Sequence, residues 1–356
     1  LDNNFNLSNI EEVTIECNPD DLNPDYIKGL KSLPINRLSM GIQTFNEDEI
    51  KILGRRHTAA EAIKAVENVF NSGIENISID LMYALPNQTI HTWQENLNTA
   101  LNLPISHISA YHLSYEEDTP LYKLRNLAFD EEKSLEFFEV LSEKTAEKGF
   151  EHMLDFIKVG RTEREIQLEL DFFMLKNGAE ALSFDTIALS GKNTSLPHGV
   201  PSDKKVEKGD FVLLDYGAVV DGYHSDMTRT VCVGEPDDEM RSVYEIVLEA
   251  QTEALDKVKA GIKCSELDKI ARDVIENAGY GEYFGHSLGH GVGMEIHEAP
   301  TASPKSDEIL QENSIITVEP GIYIPEKFGV RIEDFVVVKN DGYLNMTTSP
   351  KNLIVL

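Results

Sequence analysis

The texture of the chain changes once, near residue 150, and this limits the fold more than any other feature. Before it, four short β-branched-rich runs, VTIEC (13–17), RLSMGIQ (37–43), NISIDLMY (76–83) and HISAYHL (107–113), are separated by helical patterns. In residues 59–70 the apolar Ile63, Val66 and Phe70 recur at i, i+3 and i+7, one face of a helix, and Thr58 with Glu61 forms its capping box. Strands alternating with helices at roughly 30-residue intervals predict a parallel sheet or part of a βα barrel. Four such units are half of a closed eight-strand barrel. After the change, residues 210–233 and 314–338 read as hairpins, the first with Asp221-Gly222 as its turn. Helices are expected over 161–178, ending at Gly178, and over 239–261 and 265–279. The second half is therefore expected to be α+β with antiparallel strands. A helical stretch over 128–158 joins the two textures, so the boundary falls near 141–155, inside a helix. Met153, Ile157 and Val159 at its end are expected to pack on the sheet of the second half.

Composition excludes several function classes. The 356 residues carry 32 basic and 62 acidic side chains, a net charge of −30, spread over both halves. Such a surface repels nucleic acid and anionic membrane faces, which bind through basic patches. No run approaches the ~18 apolar residues of a membrane span. The opening LDNNFNLSNIEE has neither the basic region nor the apolar run of a signal peptide. Three cysteines, Cys17, Cys232 and Cys264, point to a reducing compartment, hence the cytoplasm, and away from a disulfide framework.

Chemistry-bearing residues concentrate after residue 197. Asp215 and Asp226 lie on the two arms of the first expected hairpin, which makes them cross-strand neighbours with Cβ atoms ~5–8 Å apart. Glu319 and Glu333 repeat the arrangement on the second. Like charges held so close are destabilising, so either one arm points to solvent or a cation lies between them. His290 stands in Gly-His-Gly-Val-Gly, where glycines permit close approach of backbone and ligand. Four carboxylates and one imidazole suit a pair of divalent ions such as Mn²⁺, Co²⁺, Fe²⁺ or Zn²⁺.

The segments SLPHG (195–199), LDYGAVVDGYHSDMTRT (214–230), GHSLGHGVGMEIHEAP (285–300), TVEPGIY (317–323) and GVRIED (329–334) occur in the order found in the pita-bread metallopeptidases. Residues 149–356 resemble that family of methionine aminopeptidases, Xaa-Pro aminopeptidases and prolidases. The resemblance implies an α+β pita-bread domain with two divalent ions, most readily Mn²⁺, on Asp215, Asp226, His290, Glu319 and Glu333, with Asp226 and Glu333 bridging. It implies substrate-side histidines at His198, His286 and His297, and Arg331 behind the ligands. His224 has no role in the pattern and reads as an ordinary strand residue. GVRIED joined to VEPGIY is closer to the Xaa-Pro branch than to the methionine branch. The implied reaction releases an N-terminal residue from a peptide with a free amine. A metal-bridging hydroxide attacks and Glu319 serves as general base. A homodimer is in keeping with the resemblance.

In the first half, Glu16, Gln43, Arg55 and Asp80 fall at or beyond predicted strand ends, where parallel α/β sheets bind ligands. The segments TIECNPDDL (14–22), INRLSMGIQTFNEDEIKILGRRHT (35–58), ISIDLMYALPNQT (77–89) and HISAYHLSYEEDTPLY (107–122) resemble the radical S-adenosylmethionine family of oxygen-independent coproporphyrinogen III oxidases and their haem-chaperone relatives. By that resemblance residues 1–148 are a partial βα-barrel fragment. Glu16, Gln43, Arg55 and Asp80 are then a vestigial S-adenosylmethionine site. The family seats a [4Fe–4S] cluster on a three-cysteine loop, and this chain has only Cys17 in the region, so no cluster is expected. The chain reads as a chimera joined near Gly149-Phe150-Glu151-His152. Its alternative functions are a methionine-aminopeptidase-like specificity or an inactive fragment of a haem-biosynthesis radical enzyme.

Overall fold

In a computed structural model, residues 12–117, 119–129, 131–220 and 222–356 are described. The opening segment read above for a signal peptide, up to residue 11, and Asp221 of the expected Asp221-Gly222 turn lie outside the described residues. The chain divides into two compact units. One ends at Phe137 and includes Lys176–Gly178; the other comprises Phe138–Leu175 and Ala179–Leu356.

In the first unit the elements run β1 (Thr14–Cys17), α1 (Pro24–Leu30), β2 (Arg37–Gln43), α2 (Glu47–Ile52), α3 (Ala59–Asn71), β3 (Asn76–Tyr83), α4 (Ile90–Leu101) and β4 (His107–His112). The strands form one parallel sheet in the order β1-β2-β3-β4. Alternation places Leu38, Met40 and Ile42 of β2 on a fully buried face. The capping box of α3 is present, with Thr58 and Glu61 bonding each other's backbone N–H. The buried stripe of α3 differs from the predicted one. Phe70 is 38% exposed and Ile63 half-buried, while Ala62, Ala65, Val66 and Val69 are buried. The small alanines let the helix close on its neighbours, and the larger side chains lie at the margin of the contact.

Helix α5 (Glu131–Phe156) runs through the point of division and α6 (Glu163–Lys176) follows it. In the second unit Ala146, Phe150, Met153 and Ile157 are buried with Ile166, Leu170 and Met174 of α6. Val159 is an exception to the expectation: it is 60% exposed. The helix has ended at Phe156, so its periodicity no longer directs residue 159 inward. Gly160, at φ +92°, donates its N–H to the Val206 carbonyl.

The rest of the second unit contains β5 (Ala181–Leu182), β6 (Ile187–Ser190), β7 (Phe211–Tyr216), β8 (Ala218–Val220), β9 (Tyr223–His224) and β10 (Met227–Cys232). Then come α7 (Asp238–Leu255), α8 (Cys264–Asn277), β11 (Gly289–Gly291) and β12 (Glu298–Ala302). The chain closes with β13 (Ile315–Val318), β14 (Gly321–Ile324), β15 (Phe328–Arg331), β16 (Asp334–Lys339) and β17 (Gly342–Asn345). These strands pair antiparallel in sheets ordered β10-β7-β6, β5-β8-β9, β12-β11-β13-β16-β17 and β14-β15. Helices α7 and α8 bury Val243, Val247, Leu267, Ala271 and Ile275 in one core with Ile316, Val318, Val336 and Val338. Helix α7 stops at Leu255, short of the predicted 261, because Ala260 and Gly261 give their N–H groups to Lys339 and Leu310.

Both predicted hairpins form, but each is shared between two sheets. In the first, Asp215 faces Thr228 and, in the same register, Val219 faces His224. The switch occurs at Gly217, where a Cβ would lie 1.8 Å from the Ser225 carbonyl oxygen, so only glycine fits. In the second, Val318 faces Asp334 and Gly321 faces Arg331, leaving residues 319 and 333 between the two ladders. Asp226, Glu319 and Glu333 thus stand where strands change partners, with their side chains released from a sheet surface.

Candidate metal centre

Among the described residues, Asp226, His290 and Glu333 each offer a ligand atom, all three within 4.8 Å of one another. His290 Nε2 lies 3.4 Å from Asp226 Oδ2 and 3.5 Å from Glu319 Oε1, which brings in the fourth residue. Its Nδ1 is 3.0 Å from the Gly291 carbonyl. A carbonyl can only accept, so Nδ1 carries the proton, and Nε2 is the nitrogen turned to the carboxylates. Thr317 positions both partners: its hydroxyl accepts from the His290 N–H at 3.2 Å and donates to Glu319 at 3.3 Å.

Asp215 is not one of the triplet, though its charge bears on Asp226, Glu319 and Glu333. It makes an ion pair with Arg331 Nη2 through Oδ2, and its Oδ1 is buried without a hydrogen-bond partner. Asp215 and Asp226 are not opposite each other, since Asp215 faces Thr228. Arg331 also donates to Thr228 Oγ1 (3.0 Å), Tyr323 Oη (2.6 Å) and the Pro197 carbonyl (3.3 Å). Thr228 in turn donates to Glu333 at 2.6 Å. Arg229 pairs with Asp334 at 2.8 Å and binds the Glu333 carbonyl, fixing the backbone beside Glu333.

The electrostatics match a site built for cations. Burial, reinforced by neighbouring carboxylates, pushes Asp226 and Glu333 well above the usual carboxylate range. Burial raises Glu319 to about 7, opposed by His290 and Arg331. Crowded acids with an orphaned oxygen at Asp215 and a free imidazole nitrogen among them are the donor set that divalent ions satisfy. The residues present therefore fit the metals that the motifs imply.

The remaining histidines border this group. His286 donates from Nδ1 to the Ser287 carbonyl (2.7 Å), and its Nε2 lies 3.0 Å from Tyr323 Oη. Burial, with Arg331 nearby, lowers it to about 4, so it is neutral at pH 7. The ring centroid of His297 lies 4.4 Å from that of His290, and desolvation lowers its pKa as well. His198 is exposed on the loop that Arg331 touches at Pro197. Buried Glu163 closes the loop's ends by accepting from Ser190, Asn193 and Ser202. His224 lies in β9, and its backbone N–H bonds Gly293. Sequence reasoning passed over Thr228, Thr317 and Tyr323. Thr228 and Thr317 stand two residues from Asp226 and Glu319, the strand spacing for one face, and that was the available signal.

In the first unit Glu16, Gln43, Arg55 and Asp80 all line one cavity of about 660 Å³, with Cys17, Asn18, Asp20, Asp21 and Tyr26. Arg55 is tied to the wall, donating to the Gly41 carbonyl and to Asn18 Oδ1 (3.0 Å). Burial beside Glu16 raises Asp80. Cys17 is the one thiol here, so the residues do not fit a three-thiolate cluster. Anaerobic reconstitution with iron and sulfide should leave no stable cluster absorption; a cluster formed on this chain would contradict that expectation.

Comparison with known proteins gives two regions of similarity. Residues 142–340, more than half of the chain, match the model of metallopeptidase family M24, and residues 3–100 match that of the radical SAM superfamily. An uncharacterized peptidase, YqhT, of Bacillus subtilis is 50% identical over 226 residues, 63% of this chain and 64% of the relative. The Xaa-Pro dipeptidase of Pyrococcus horikoshii is 47% identical over 223 residues, 63% of each. This chain thus spans a little under two thirds of these curated relatives. The crystal structure of an X-Pro aminopeptidase from Thermotoga maritima superposes with a TM-score of 0.62 at 37% identity, covering 83% of this chain and 79% of that one. The second unit accordingly has the pita-bread fold, preceded by a parallel-sheet α/β region. With that match over most of its second half, the chain belongs to metallopeptidase family M24.

Proposed function

We propose that the chain is a dinuclear-metal exopeptidase that releases an N-terminal residue, with Xaa-Pro peptides as substrates. The observation that carries this reading is the meeting of Asp226, His290, Glu319 and Glu333 where two hairpins change sheets, in a chain whose relatives include an Xaa-Pro dipeptidase. We assign Asp215, Asp226, His290, Glu319 and Glu333 as ligands of two divalent ions, Mn²⁺ in the first instance. Bound there, such ions supply Lewis-acid polarisation and acidify the attacking water.

The chain's own residues do the rest. Glu319, 3.5 Å from His290 in the same group, is assigned as the general base that takes a proton and returns it to the leaving amine. His198, His286 and His297 are assigned to the substrate side; exposed His198 and His297 can hydrogen-bond the substrate's carbonyl and carboxylate oxygens, while both ring nitrogens of His286 are engaged by Ser287 and Tyr323. Arg331 holds Asp215, Thr228 and Tyr323 in one network, so ligand and substrate sides move together. The free amine of the substrate meets an acidic wall, which sets the register of an exopeptidase. We further assign residues 1–148 to the radical-SAM-like fragment, with Glu16, Gln43, Arg55 and Asp80 as its vestigial S-adenosylmethionine site. Residues 149–356 are assigned to the peptidase, making the chain a chimera that works in the cytoplasm as a homodimer. Among the described residues no helix is long and apolar enough to cross a membrane.

The test is cleavage of Ala-Pro, Met-Ala and N-acetylated Ala-Pro peptides by Mn²⁺-loaded protein. The expected result is hydrolysis of Ala-Pro alone. Preference for Met-Ala would transfer the chain to a methionine-aminopeptidase-like specificity, and absence of all cleavage would refute the peptidase reading.

A further inference from the structure

We propose that Asp268 and Arg272 of α8 are a positioning pair that seats His286 and Glu319; the inference rests on the reading above for the roles of those two residues. The pair is an i,i+4 fork, with Arg272 Nε and Nη2 donating to Asp268 at 2.9 and 3.0 Å. Asp268 is 1% exposed and Arg272 18%. A buried ion pair of this kind adds little stability by itself, because desolvation offsets the attraction. What it provides here is geometry, since the remaining hydrogen bonds of both side chains converge on one short loop.

Arg272 donates through Nη1 to the Phe284 carbonyl and through Nη2 to the His286 carbonyl, each at 2.9 Å, and its guanidinium lies over the Phe284 ring at 4.2 Å. Asp268 Oδ1 accepts the Leu288 N–H at 3.1 Å, and the Leu288 carbonyl accepts the N–H of Glu319 at 2.8 Å. One fork thus fixes the backbone of His286 and, through the single residue Leu288, that of Glu319. The far end of His286 is fixed by the chemistry of its contacts. With Nδ1–H given to Ser287, Nε2 accepts from the Tyr323 hydroxyl, whose oxygen accepts from Arg331. Held at both ends, the imidazole has one position and one tautomer, Nδ1–H. Arginine is required because two carbonyls and one carboxylate are engaged by three nitrogens of a planar group. Lysine keeps the charge but offers a single nitrogen.

The experiment uses the full chain with ¹⁵N-labelled histidine rings and the variants Arg272→Lys and Arg272→Gln. In metal-free wild type, His286 is expected to show the Nδ1–H tautomer pattern. In both variants, with the melting temperature within a few degrees of wild type, that pattern should give way to a mixture of tautomers. With Mn²⁺ and an Ala-Pro peptide, kcat should fall roughly 10- to 100-fold while KM changes less than about threefold, the signature of a misplaced group. Metal content should stay at the wild-type value. An unchanged tautomer in both variants would overturn the proposal, as would loss of folding together with activity, which would make the pair merely structural. Should wild type cleave no peptide, the peptidase reading fails alone, and the tautomer in metal-free protein still decides the positioning role.

Discussion

Replacing Glu333 or Asp226 by alanine is expected to remove more than one divalent ion per chain from a protein that holds about two after loading with Mn²⁺ or Co²⁺. Each is proposed to bridge, so its loss empties both positions rather than one. Cleavage should fall on the order of 10³-fold or more, because the change removes the Lewis acid itself. The same site dictates a pH dependence. In the metal-free protein Asp226 and Glu333 hold protons well above the usual carboxylate range, and Glu319 titrates at about 7. Ions must displace those protons, so metal affinity should rise with pH and drop as pH falls below about 7. Calorimetry in two buffers of different ionisation heat reads the protons released. Binding that releases none, or a Glu333→Ala protein retaining both ions, would refute the ligand assignment.

Glu143→Leu should stabilise the second unit by roughly 3–5 kcal/mol at pH 9 and by far less at pH 5. Glu143 lies on α5, fully buried, and neither of its oxygens has a hydrogen-bond partner. Its neighbour Glu147 is equally inward but satisfied, pairing with Lys144 and accepting from the Thr348 and Ser349 N–H groups. Burial, with Glu147 beside it, pushes Glu143 from 4.5 to about 8, only partly offset by Thr347, Lys144 and Arg229. At 1.36 kcal/mol per pH unit that is about 5 kcal/mol. The sign follows from a folded pKa above the unfolded one. The protonated form's contribution is complete below about 4.5 and is lost as pH rises through 8. Urea unfolding of both proteins at several pH values should show the wild type losing stability relative to the variant across that window. Parallel curves would mean that Glu143 finds a partner or reaches water.

Local pattern carried much of this structure. The runs at 37–43 and 76–83 became β2 and β3 with the predicted bounds, since β-branched alternation is a property of a few consecutive residues. The Thr58 cap formed for the same reason. The site was legible as residue types on two hairpins, because carboxylates gathered on neighbouring arms with a glycine-flanked histidine are a donor set for divalent ions, although Asp215 proved to face Thr228 rather than Asp226.

What depended on contacts between distant segments was not legible. Nothing near Asp215 in sequence indicates that Arg331 binds it, 116 residues away, or that the hairpins divide between sheets at Gly217 and around Glu319. Phe70 fits a helical stripe, yet the packed face is the alanine side. Asp268 and Arg272 look like any surface i,i+4 pair until the 284–288 loop closes over them, and Glu143 like any solvated helix acid until it is enclosed. Periodicity and caps are set by bonds within a few residues. Burial, pKa and the partner of each polar group are set by whichever distant atoms the packed fold brings within a few ångströms, and no local window contains that information.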